Sequence, residues 1–417
     1  MSFLKNYKSS LLLLSGIIVG AIIGIFFNDV ALFLEPLGKL FLNFIFVLII
    51  PLVFCSMSLA VANNQGMKRI KKIIGVTLLT FLGTTLVAVI LMYLGTLIYN
   101  PFVAVNGEQF NHLMANATVA EGDSFGNLIV NTISVGNFLE LFDKSHLLAL
   151  IIFSLFFGIS ISLAGEKGQP LVKLLQAGND VVMMMISTVM KFAPIGLGAY
   201  FAFTLGNLGP NILSGYVKAI LLYGVVIMVY YIFFLSFYAY LGGGRVGLKQ
   251  YWKNLINPSL QALGTSSSAA CIPVNLTALK KIGVPADIRE TVISLGANIH
   301  KDGSAMSGVL QVVLLFTLFG REINTPTAAL SIIAGGFLVG IVMGSIPSGG
   351  FTAEVLLISL FGFPVEVIPV IAVITTITDM GATLVNSTSN LTCGMMVTRL
   401  VEKKNLAELK EEIHATN

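Results

Sequence analysis

The sequence predicts an all-α integral membrane protein with eight transmembrane helices, two re-entrant helical hairpins and inverted repeats. Its composition is 56% hydrophobic and 11% charged, whereas a soluble domain has about 25% charged residues. At about 20 residues per spanning helix, a chain of 417 residues accommodates one large bundle and no separate soluble domain. Beyond residue 243, the apolar stretches become shorter and are interrupted by Pro, Gly and Ser.

Six continuous apolar runs predict the spans of the N-terminal part. They cover residues 10–28, 37–62, 70–99, 146–165, 178–205 and 213–242. The first run follows Lys5 and Lys8 without a small-residue cleavage site, so we expect a retained helix and not a signal peptide. Residues 100–145 form the one long polar connection.

Two further apolar segments are broken in the middle and predict the hairpins. The interruptions are residues 264–268, within the segment 249–276, and residues 344–350, within the segment 328–362. Each half is too short to span a bilayer, and non-helical backbone is tolerated at that depth only inside protein or beside water. Longer helices follow the hairpins at about 287–320 and 364–401. Such a repeat of interrupted segments points to the binding site of a transporter.

The distribution of Lys and Arg predicts the orientation, because short cytoplasmic loops collect these residues. With the N-terminus inside, the external segments hold only Lys144, Lys218 and Arg321. The first hairpin then enters from the cytoplasm and the second from outside, so that their tips meet near the midplane. We therefore expect a multi-pass protein of the cell (inner) membrane, with both termini in the cytoplasm, including the tail 405–417.

Three polar elements lie in or beside these apolar segments, where an ionisable group is costly and by default marks a binding or transport pathway. They are residues 265–268, residues 300–304 and the set Asp379, Thr383, Asn386 and Asn390. The last set recurs at i, i+4, i+7 and i+11 and so shares one helical face. A lone carboxylate there needs a cationic partner, and the ammonium group of a substrate suits Asp379. For the neutral residues, interhelical hydrogen bonds that only hold the bundle together are the alternative.

The serine run at the first hairpin tip is the second of these candidate sites in the membrane. Ser266, Ser267 and Ser268 offer hydroxyl groups and free backbone N–H groups at the ends of half-helices. These groups suit a carboxylate, although a serine run is often merely a loop. Residues 346–350 of the second hairpin are expected to supply the facing lid.

At these positions the chain resembles the glutamate transporter family of dicarboxylate/amino acid:cation symporters, in segment order over essentially its whole length. The matching motifs are residues 269–273, residues 296–304, the hairpin around Pro347 and residues 379–386. The resemblance implies a homotrimer in the lipid bilayer, in which each protomer has a scaffold domain and a transport domain that works by an elevator motion. It assigns residues 1–243 to six spans, mostly scaffold and trimerisation with spans 3 and 6 in the transport domain, and residues 244–404 to the transport-domain core.

The resemblance also implies two groups of site residues. The substrate-binding group is Ser266, Ser267, Ser268, Ser304, Ile346, Pro347, Gly350, Asp379, Ala382, Thr383 and Asn386. The coupling or cation group is Thr84, Gly296, Asn298, His300, Lys301, Asp302, Asn386 and Asn390. In the family, the residue matching Asp379 holds the substrate amino group, and the residue matching Asn386 holds the α-carboxylate together with hairpin-tip backbone. Positions matching Thr383 and Ser304 lie close to the substrate side chain, and helix three contributes to a cation site at about Thr84.

One departure from the family pattern concerns the substrate. Members that carry acidic substrates have an arginine at the position matching Ser266 or at the position matching Ala382, and this chain has it at neither. Without a guanidinium fork, a second substrate carboxylate lacks a bidentate partner. The sequence therefore predicts a small neutral amino acid such as serine, threonine or alanine. A sodium-coupled symporter of an amino acid or a dicarboxylate is the alternative.

A second departure concerns the coupling ion. The family motif Asn-Met-Asp-Gly-Thr, which helps to coordinate sodium, reads His-Lys-Asp-Gly-Ser at residues 300–304, and a sodium-site aspartate is replaced by Asn390. An added ammonium and a lost carboxylate disfavour sodium, so coupling is predicted to be sodium-independent or proton-linked. Lys301 has three interpretations: a lysine that snorkels outside the site, a fixed ion pair with Asp302, or titration of Lys301 or His300 in place of sodium movement.

No enzyme is predicted. Ser267, His300, Asp302 and Asp379 can be assembled on paper into an intramembrane hydrolase, but no strained nucleophile motif or aspartyl-dyad signature frames them. A channel is disfavoured because hairpins close the site from both sides.

No cofactor and no nucleic-acid partner are predicted. Sodium ions or protons are expected only as coupling ions, and Glu354 is a further candidate proton carrier.

Overall fold

The computed structural model describes residues 12, 15–16, 18–62, 68–103, 134–142, 147–208, 211–343, 349–364 and 367–403. Every regular element in these ranges is helical, which confirms the all-α class. In chain order the helices are α1 (18–26), α2 (Asn28–Ala62), α3 (Lys68–Ile98), α4 (Leu147–Leu163), α5 (Gln169–Met190), α6 (Ala193–Leu208), α7 (Asn211–Val229), α8 (Leu235–Thr265), α9 (Ile272–Ile282), α10 (Ala286–Ile299), α11 (Asp302–Leu318), α12 (Pro326–Val342), α13 (Gly349–Phe361) and α14 (Ile368–Glu402). A π-helical turn, Tyr230–Phe234, joins α7 to α8, and 3-10 turns cover Phe138–Phe142 and Gly165–Gly168.

Three stretches of the described helices are long and apolar enough to cross a membrane. They are Lys72–Ile98, Ile212–Thr265 and Val370–Glu402. The outer surface carries large apolar side chains, among them Phe33, Ile98 and Leu163 at 84%, 88% and 83% exposure. Such a surface suits lipid better than water. The count of eight spans stays a prediction.

The helix α14 forms the centre of the C-terminal part of the fold. It packs against α3, α8, α10 and α11, and residues 382–395 are buried without interruption. In the N-terminal part, α2 has the corresponding position and packs against α4, α5 and α6. The division into a scaffold domain and a transport domain at residue 243 stays a prediction.

The predicted span 178–205 is wrong in one respect, because two helices occupy this stretch. The helix α5 ends at Met190, and α6 begins at Ala193. Pro194 explains the break, since it has no N–H group and its ring would clash with the carbonyl group of Met190 in a continuous helix. In the first turn of α6 a proline is tolerated, because those N–H groups have no helical partner.

The predicted continuous helix 287–320 is also wrong. The helix α10 ends at Ile299 and α11 begins at Asp302, with His300 (φ −118°, ψ 101°) and Lys301 (φ −134°, ψ 61°) in non-helical conformations between them. A carboxylate in the first turn of α11 suits the positive end of that helix. Two of the free N–H groups of this turn donate to the side chain of Asn386 on α14.

The helical arms of both predicted hairpins are present. The backbone turns at Gly244 (φ 62°, ψ −153°), between the predicted sixth span and the first hairpin; glycine tolerates this conformation because it lacks a β-carbon. At the tip, Ser266 adopts a left-handed conformation (φ 45°, ψ 35°), and the second arm begins at Ile272. The arms of the second hairpin are α12 and α13, and its tip, residues 344–348, lies outside the described residues.

Several other predictions fall on parts of the chain that are not described. These are the beginning of the first span, residues 104–133 and 143–146 of the long connection, and the tail 405–417. The N-terminal charges Lys5 and Lys8, and the external Lys144, also lie outside the described residues. Arg321 and Lys218 are described.

Arg69 links three helices through its guanidinium group. Nε donates to Asp287 Oδ2 of α10 and Nη2 donates to Glu402 Oε1 of α14, each at 2.6 Å. Arg69 and Asp287 lie outside the three stretches that could cross the membrane. The hydrogen bond from Arg69 holds the pKa of Asp287 below its usual range. A depressed folded-state pKa contributes stability above the unfolded-state pKa, and that contribution is lost as the pH falls through the folded-state value.

The substitution Arg69→Met is expected to lower the free energy of unfolding by about 1 kcal/mol or less near neutral pH, because the pair is half exposed and water screens it. Thermal unfolding in detergent of wild type and variant would measure the difference. We expect the difference to disappear only in acid, below the depressed folded-state pKa of Asp287, where its carboxylate becomes protonated. The exposed Lys249, changed to Met, is the control. A difference that persists at acid pH, or an equal effect of the control, would contradict this account.

Candidate functional site

The candidate site surrounds the break between α10 and α11. The His300 side chain is fully buried and its ring stacks on Phe81 of α3 at 4.1 Å between ring centroids. Its Nε2 lies 2.8 Å from Thr84 Oγ1 and 3.0 Å from Asp302 Oδ1. Its Nδ1 lies 2.8 Å from Asn390 Oδ1 of α14. The imidazole therefore connects α3, α11 and α14.

These contacts indicate the protonation state of His300. The amide of Asn390 is oriented by its Nδ2, which donates to Asn386 O at 2.8 Å, so its oxygen faces the ring. The other ring nitrogen faces a carboxylate oxygen of Asp302. Thr84 Oγ1, the hydrogen-bond partner of Nε2, gives its own proton to Phe81 O at 3.1 Å, so Nε2 has to donate, as does Nδ1 towards Asn390 Oδ1. An imidazolium that is paired with the Asp302 carboxylate satisfies every contact.

Asp302 is fully buried and has partners for both oxygens. Thr85 Oγ1 donates to Oδ1 at 2.7 Å, and Tyr230 OH donates to Oδ2 at 2.8 Å. With His300, these donors stabilise the ionised carboxylate. The hypothesis of an ion pair between Lys301 and Asp302 is therefore wrong for this structure. In the extended stretch between α10 and α11, successive side chains point to opposite sides, which separates Lys301 from His300.

Lys301 is 4% exposed, so the interpretation of a lysine that snorkels out of the site does not hold for this structure. Within the described residues, neither a hydrogen bond nor an ion pair joins its ammonium group to another side chain. The charge of Asp379 acts on it electrostatically. Lys301 therefore lies on the side of the predicted substrate group, whereas His300 lies in the predicted cation group.

Asn386 holds the start of α11 against α14. Its Oδ1 accepts the N–H groups of Gly303 at 2.8 Å and Ser304 at 3.2 Å, and its Nδ2 donates to Ser304 Oγ at 2.9 Å. A β-carbon at residue 303 would lie 2.6 Å from Ala382 O, so only glycine permits this approach. Tyr223 OH completes the contact by donating to Gly303 O at 3.0 Å.

The structure brings together some of the predicted site residues and not others. Five of the predicted residues lie along the contact between α11 and α14. Four of them are buried, namely Ser304, Asn386, Ala382 and Thr383, and the fifth is Asp379. Asn298 is exposed on α10, where its Nδ2 donates to Ser294 O at 2.8 Å, away from the cluster around His300.

The hairpin-tip predictions are only partly covered by the described residues. Ser266, Ser267 and Ser268 are partly buried, and Ser267 Oγ accepts the N–H group of Ala270 at 3.3 Å. Ile346 and Pro347 lie outside the described residues, and Gly350 is the second residue of α13. The role of this tip as a lid stays a prediction.

Sequence reasoning missed three members of the cluster: Phe81, Thr85 and Tyr230. Phe81, Thr84 and Thr85 recur at i, i+3 and i+4, and this spacing places them on one face of α3. Because Thr84 was already a candidate, that spacing could have indicated Phe81 and Thr85 as its neighbours. Tyr230 begins the π-helical turn, and such turns are frequent at functional sites. Its position depends on packing, so no sequence signal was available.

The close approach of α10 to α14 generates a prediction at Gly296. A β-carbon there would lie 2.1 Å from Asn390 Oδ1, the oxygen that accepts from His300. Gly296→Ala is expected to cost about 1–3 kcal/mol of stability through overpacking and to reduce uptake. Thermal unfolding and uptake would be measured on the same preparation.

The control for this substitution is Gly75→Ala on α3, where a β-carbon would meet nothing within 4 Å. Gly75→Ala is expected to retain the stability and uptake of the wild type. Equal stability and uptake of the two variants would show that the contact between α10 and α14 has room for a β-carbon at residue 296.

Comparison with known proteins places the chain among transport proteins. The model of the family described as "Sodium:dicarboxylate symporter family" matches residues 10–400. The proton/sodium-glutamate symport protein of Bacillus caldotenax is 27% identical over 415 residues, which cover 95% of this chain and 97% of the relative. That of Bacillus subtilis (strain 168) is 27% identical over 92% of this chain and 90% of its own. The C4-dicarboxylate transport protein of Laribacter hongkongensis (strain HLHK9) is 25% identical over 98% of this chain and 93% of its own.

Proposed function

This chain belongs to the sodium:dicarboxylate symporter family, and from that premise we propose that it carries a small neutral amino acid by an elevator mechanism with sodium-independent or proton-linked coupling. Membership confirms the resemblance seen in the sequence. The relatives are symport and transport proteins, so the chain is a membrane transporter and not an enzyme. The hydrolase alternative is therefore set aside.

The observation that carries the proposal is the buried His300 imidazole. It fills the space between Thr84, Asp302 and Asn390: the ring is hydrogen-bonded to Thr84 Oγ1 and Asn390 Oδ1, and its Nε2 lies 3.0 Å from Asp302 Oδ1. These are residues that the family resemblance assigns to the cation group. In this chain the cluster therefore already contains a cation that is tethered to the backbone.

The cost of adding a sodium ion can be judged from electrostatics. Two unit charges about 4 Å apart repel by about 4 kcal/mol at an effective dielectric constant of about 20. The carboxylate of Asp302 is already paired with His300 and bonded by Thr85 and Tyr230. A sodium ion at this cluster would have to displace the imidazole or overcome its charge. The proposal of sodium-independent coupling follows from this balance.

The substrate proposal depends on which charged groups lie near Asp379. Positions 266 and 382 are serine and alanine, so neither carries a guanidinium group. The guanidinium group of Arg321 lies over two aromatic rings, at 5.6 Å from the centroid of Phe316 and 4.6 Å from that of Phe363. Asp379 suits the amino group of the substrate, and the N–H groups at the first hairpin tip suit its carboxylate. A small uncharged side chain needs no further partner.

A second candidate is sodium-coupled transport of an acidic amino acid or a dicarboxylate. The names of the relatives refer to glutamate and C4-dicarboxylates. Lys301 favours this candidate, because a buried ammonium group can act as a point-charge partner for a second carboxylate. The charge of Asp379 already acts on Lys301, however, and this supports the neutral substrate.

The remaining parts of the proposal are the assembly and the location. We include a homotrimer in the cell (inner) membrane, with both termini cytoplasmic. Residues 1–243 form mainly the scaffold, and residues 244–404 form the core of the transport domain. The separate packing around α2 and around α14 supports this division.

The coupling proposal is tested by uptake of labelled serine into proteoliposomes with sodium, potassium or choline outside and with an imposed pH gradient. We expect equal accumulation in sodium and choline. Lys301→Met is expected to lower uptake at least about tenfold, because it leaves the half-buried Asp379 without its opposing charge; Lys249→Met is the control. Accumulation that requires sodium would contradict the role of His300 as the tethered cation, and uptake that Lys301→Met leaves unchanged would remove Lys301 from the mechanism.

The substrate proposal is tested by competition against labelled serine uptake. Unlabelled serine, threonine and alanine are expected to displace the label, whereas aspartate, glutamate and succinate are expected to have little effect. The reason is the absence of an arginine at Ser266 and Ala382. Strong displacement by the acidic compounds alone would favour the second candidate, and Lys301→Met should then abolish that displacement.

A further inference from the structure

Glu354 is a buried carboxyl group that the proposed site does not use. It lies on α13, the second arm of the second hairpin, and is 1% exposed. No basic side chain among the described residues forms an ion pair with it. An isolated carboxylate in such a place is very costly, whereas a neutral carboxyl group costs much less. The surroundings of Glu354 therefore suit a bound proton.

The hydrogen bonds around Glu354 also fit the protonated form. Thr375 Oγ1 of α14 donates to Glu354 Oε1 at 2.5 Å, and Gln311 Nε2 of α11 donates to Thr375 Oγ1 at 2.7 Å. Within the described part of the chain, Glu354 Oε2 and Gln311 Oε1 remain buried without a partner. Both atoms are acceptors when Glu354 is ionised. A proton on Oε2 removes the charge of the carboxyl group and provides an O–H donor in a buried region that also contains the unpaired acceptor Gln311 Oε1.

The charged groups on the neighbouring helices do not compensate an ionised Glu354. The helices α4 and α12 pack against α13, and their described residues include no titratable side chain. The helix α14 contributes Asp379, one turn beyond Thr375, and, towards its other end, Cys393, Arg399 and Glu402. On α11 the titratable group is Asp302, which is paired with His300. Arg321, after α11, donates to Phe361 O at 3.5 Å, and residue 361 is about two helical turns from Glu354.

A seam of polar pairs joins Glu354 to the candidate substrate site along the contact between α11 and α14. At one end Asn386 bonds Ser304 at 2.9 Å. In the middle, Ser307 Oγ and Thr378 Oγ1 are 2.7 Å apart. At the other end Gln311 and Thr375 form the pair that contacts Glu354. The protonation of Glu354 therefore bears on how α13 packs against the helices that carry the substrate site.

We propose that Glu354 binds the proton that this transporter moves with its substrate. This inference rests on the proposed proton-linked coupling and names the residue that provides it. With a proton on Oε2, the carboxyl group is neutral and α13 packs against α14. Loss of the proton leaves an uncompensated charge in that contact and favours separation of the second hairpin. The O–H bond forms with a proton from the solution on one side and breaks when the proton is released to the other side.

The test compares wild type with Glu354→Gln and Glu354→Asp in proteoliposomes that contain a pH-sensitive dye. Accumulation of labelled serine under a pH gradient, the accompanying proton flux and serine counterflow without a gradient would be measured. Glu354→Gln, which resembles the neutral form, is expected to lose accumulation and proton flux at least about tenfold but to retain counterflow that no longer varies with pH. Glu354→Asp should retain proton flux. Glu322→Gln, on the exposed loop after α11, is the matched control and should resemble wild type.

The outcomes separate this inference from the proposed function. Proton flux and accumulation that Glu354→Gln leaves unchanged would overturn the inference while proton-linked transport stands. Wild-type accumulation without proton flux would overturn proton-linked coupling and the role of Glu354 with it. If Glu354→Gln loses counterflow as well, the behaviour of Glu354→Asp decides whether the inference holds. Retained proton flux in Glu354→Asp supports the inference, and loss of counterflow in both folded variants overturns it.

Discussion

The break between α10 and α11 is the constraint on which the rest of the site depends. The interior of a membrane protein offers little water, so the N–H groups that a helix break leaves free need protein partners. Asn386 supplies them through its amide oxygen. This contact places α14 against α11, and Asn390, one turn further on, then lies beside His300. The glycines at 296 and 303 permit the approach, since β-carbons there would overlap α14.

The break also separates two cations that are adjacent in the chain. His300 pairs with Asp302, and Lys301 is subject to the charge of Asp379. Each cation thus balances one carboxylate in a buried setting, where an unpaired charge is strongly destabilising. Glu354 differs because its neighbours in the described part of the chain are hydrogen-bonding groups and include no cation. In the proposed function, substrate recognition, the altered cation cluster and proton binding belong to different groups of residues along one helix contact.

Sequence reasoning predicted the polar residues of this region for a physical reason. Polar side chains are costly in apolar runs, so residues 300–304 and the face from Asp379 to Asn390 were conspicuous, and helical periodicity placed the latter on one face. The interruption at Ser266 was visible because a serine run follows a glycine. The break at His300 was not predicted, because no proline or glycine marks it. Its partners are side chains up to 216 positions away.

Composition and periodicity were sufficient for the all-α membrane class, the two interrupted segments and the identity of most polar residues, because these properties depend on near neighbours in the chain. The choice of partners required three-dimensional packing. Whether Asp302 meets His300 or Lys301 depends on the backbone angles at the break, and the participation of Thr85 and Tyr230 depends on how α3 and the π-helical turn pack on α11. Distances between remote residues decide hydrogen bonds and ion pairs, and a one-dimensional pattern contains no such distances.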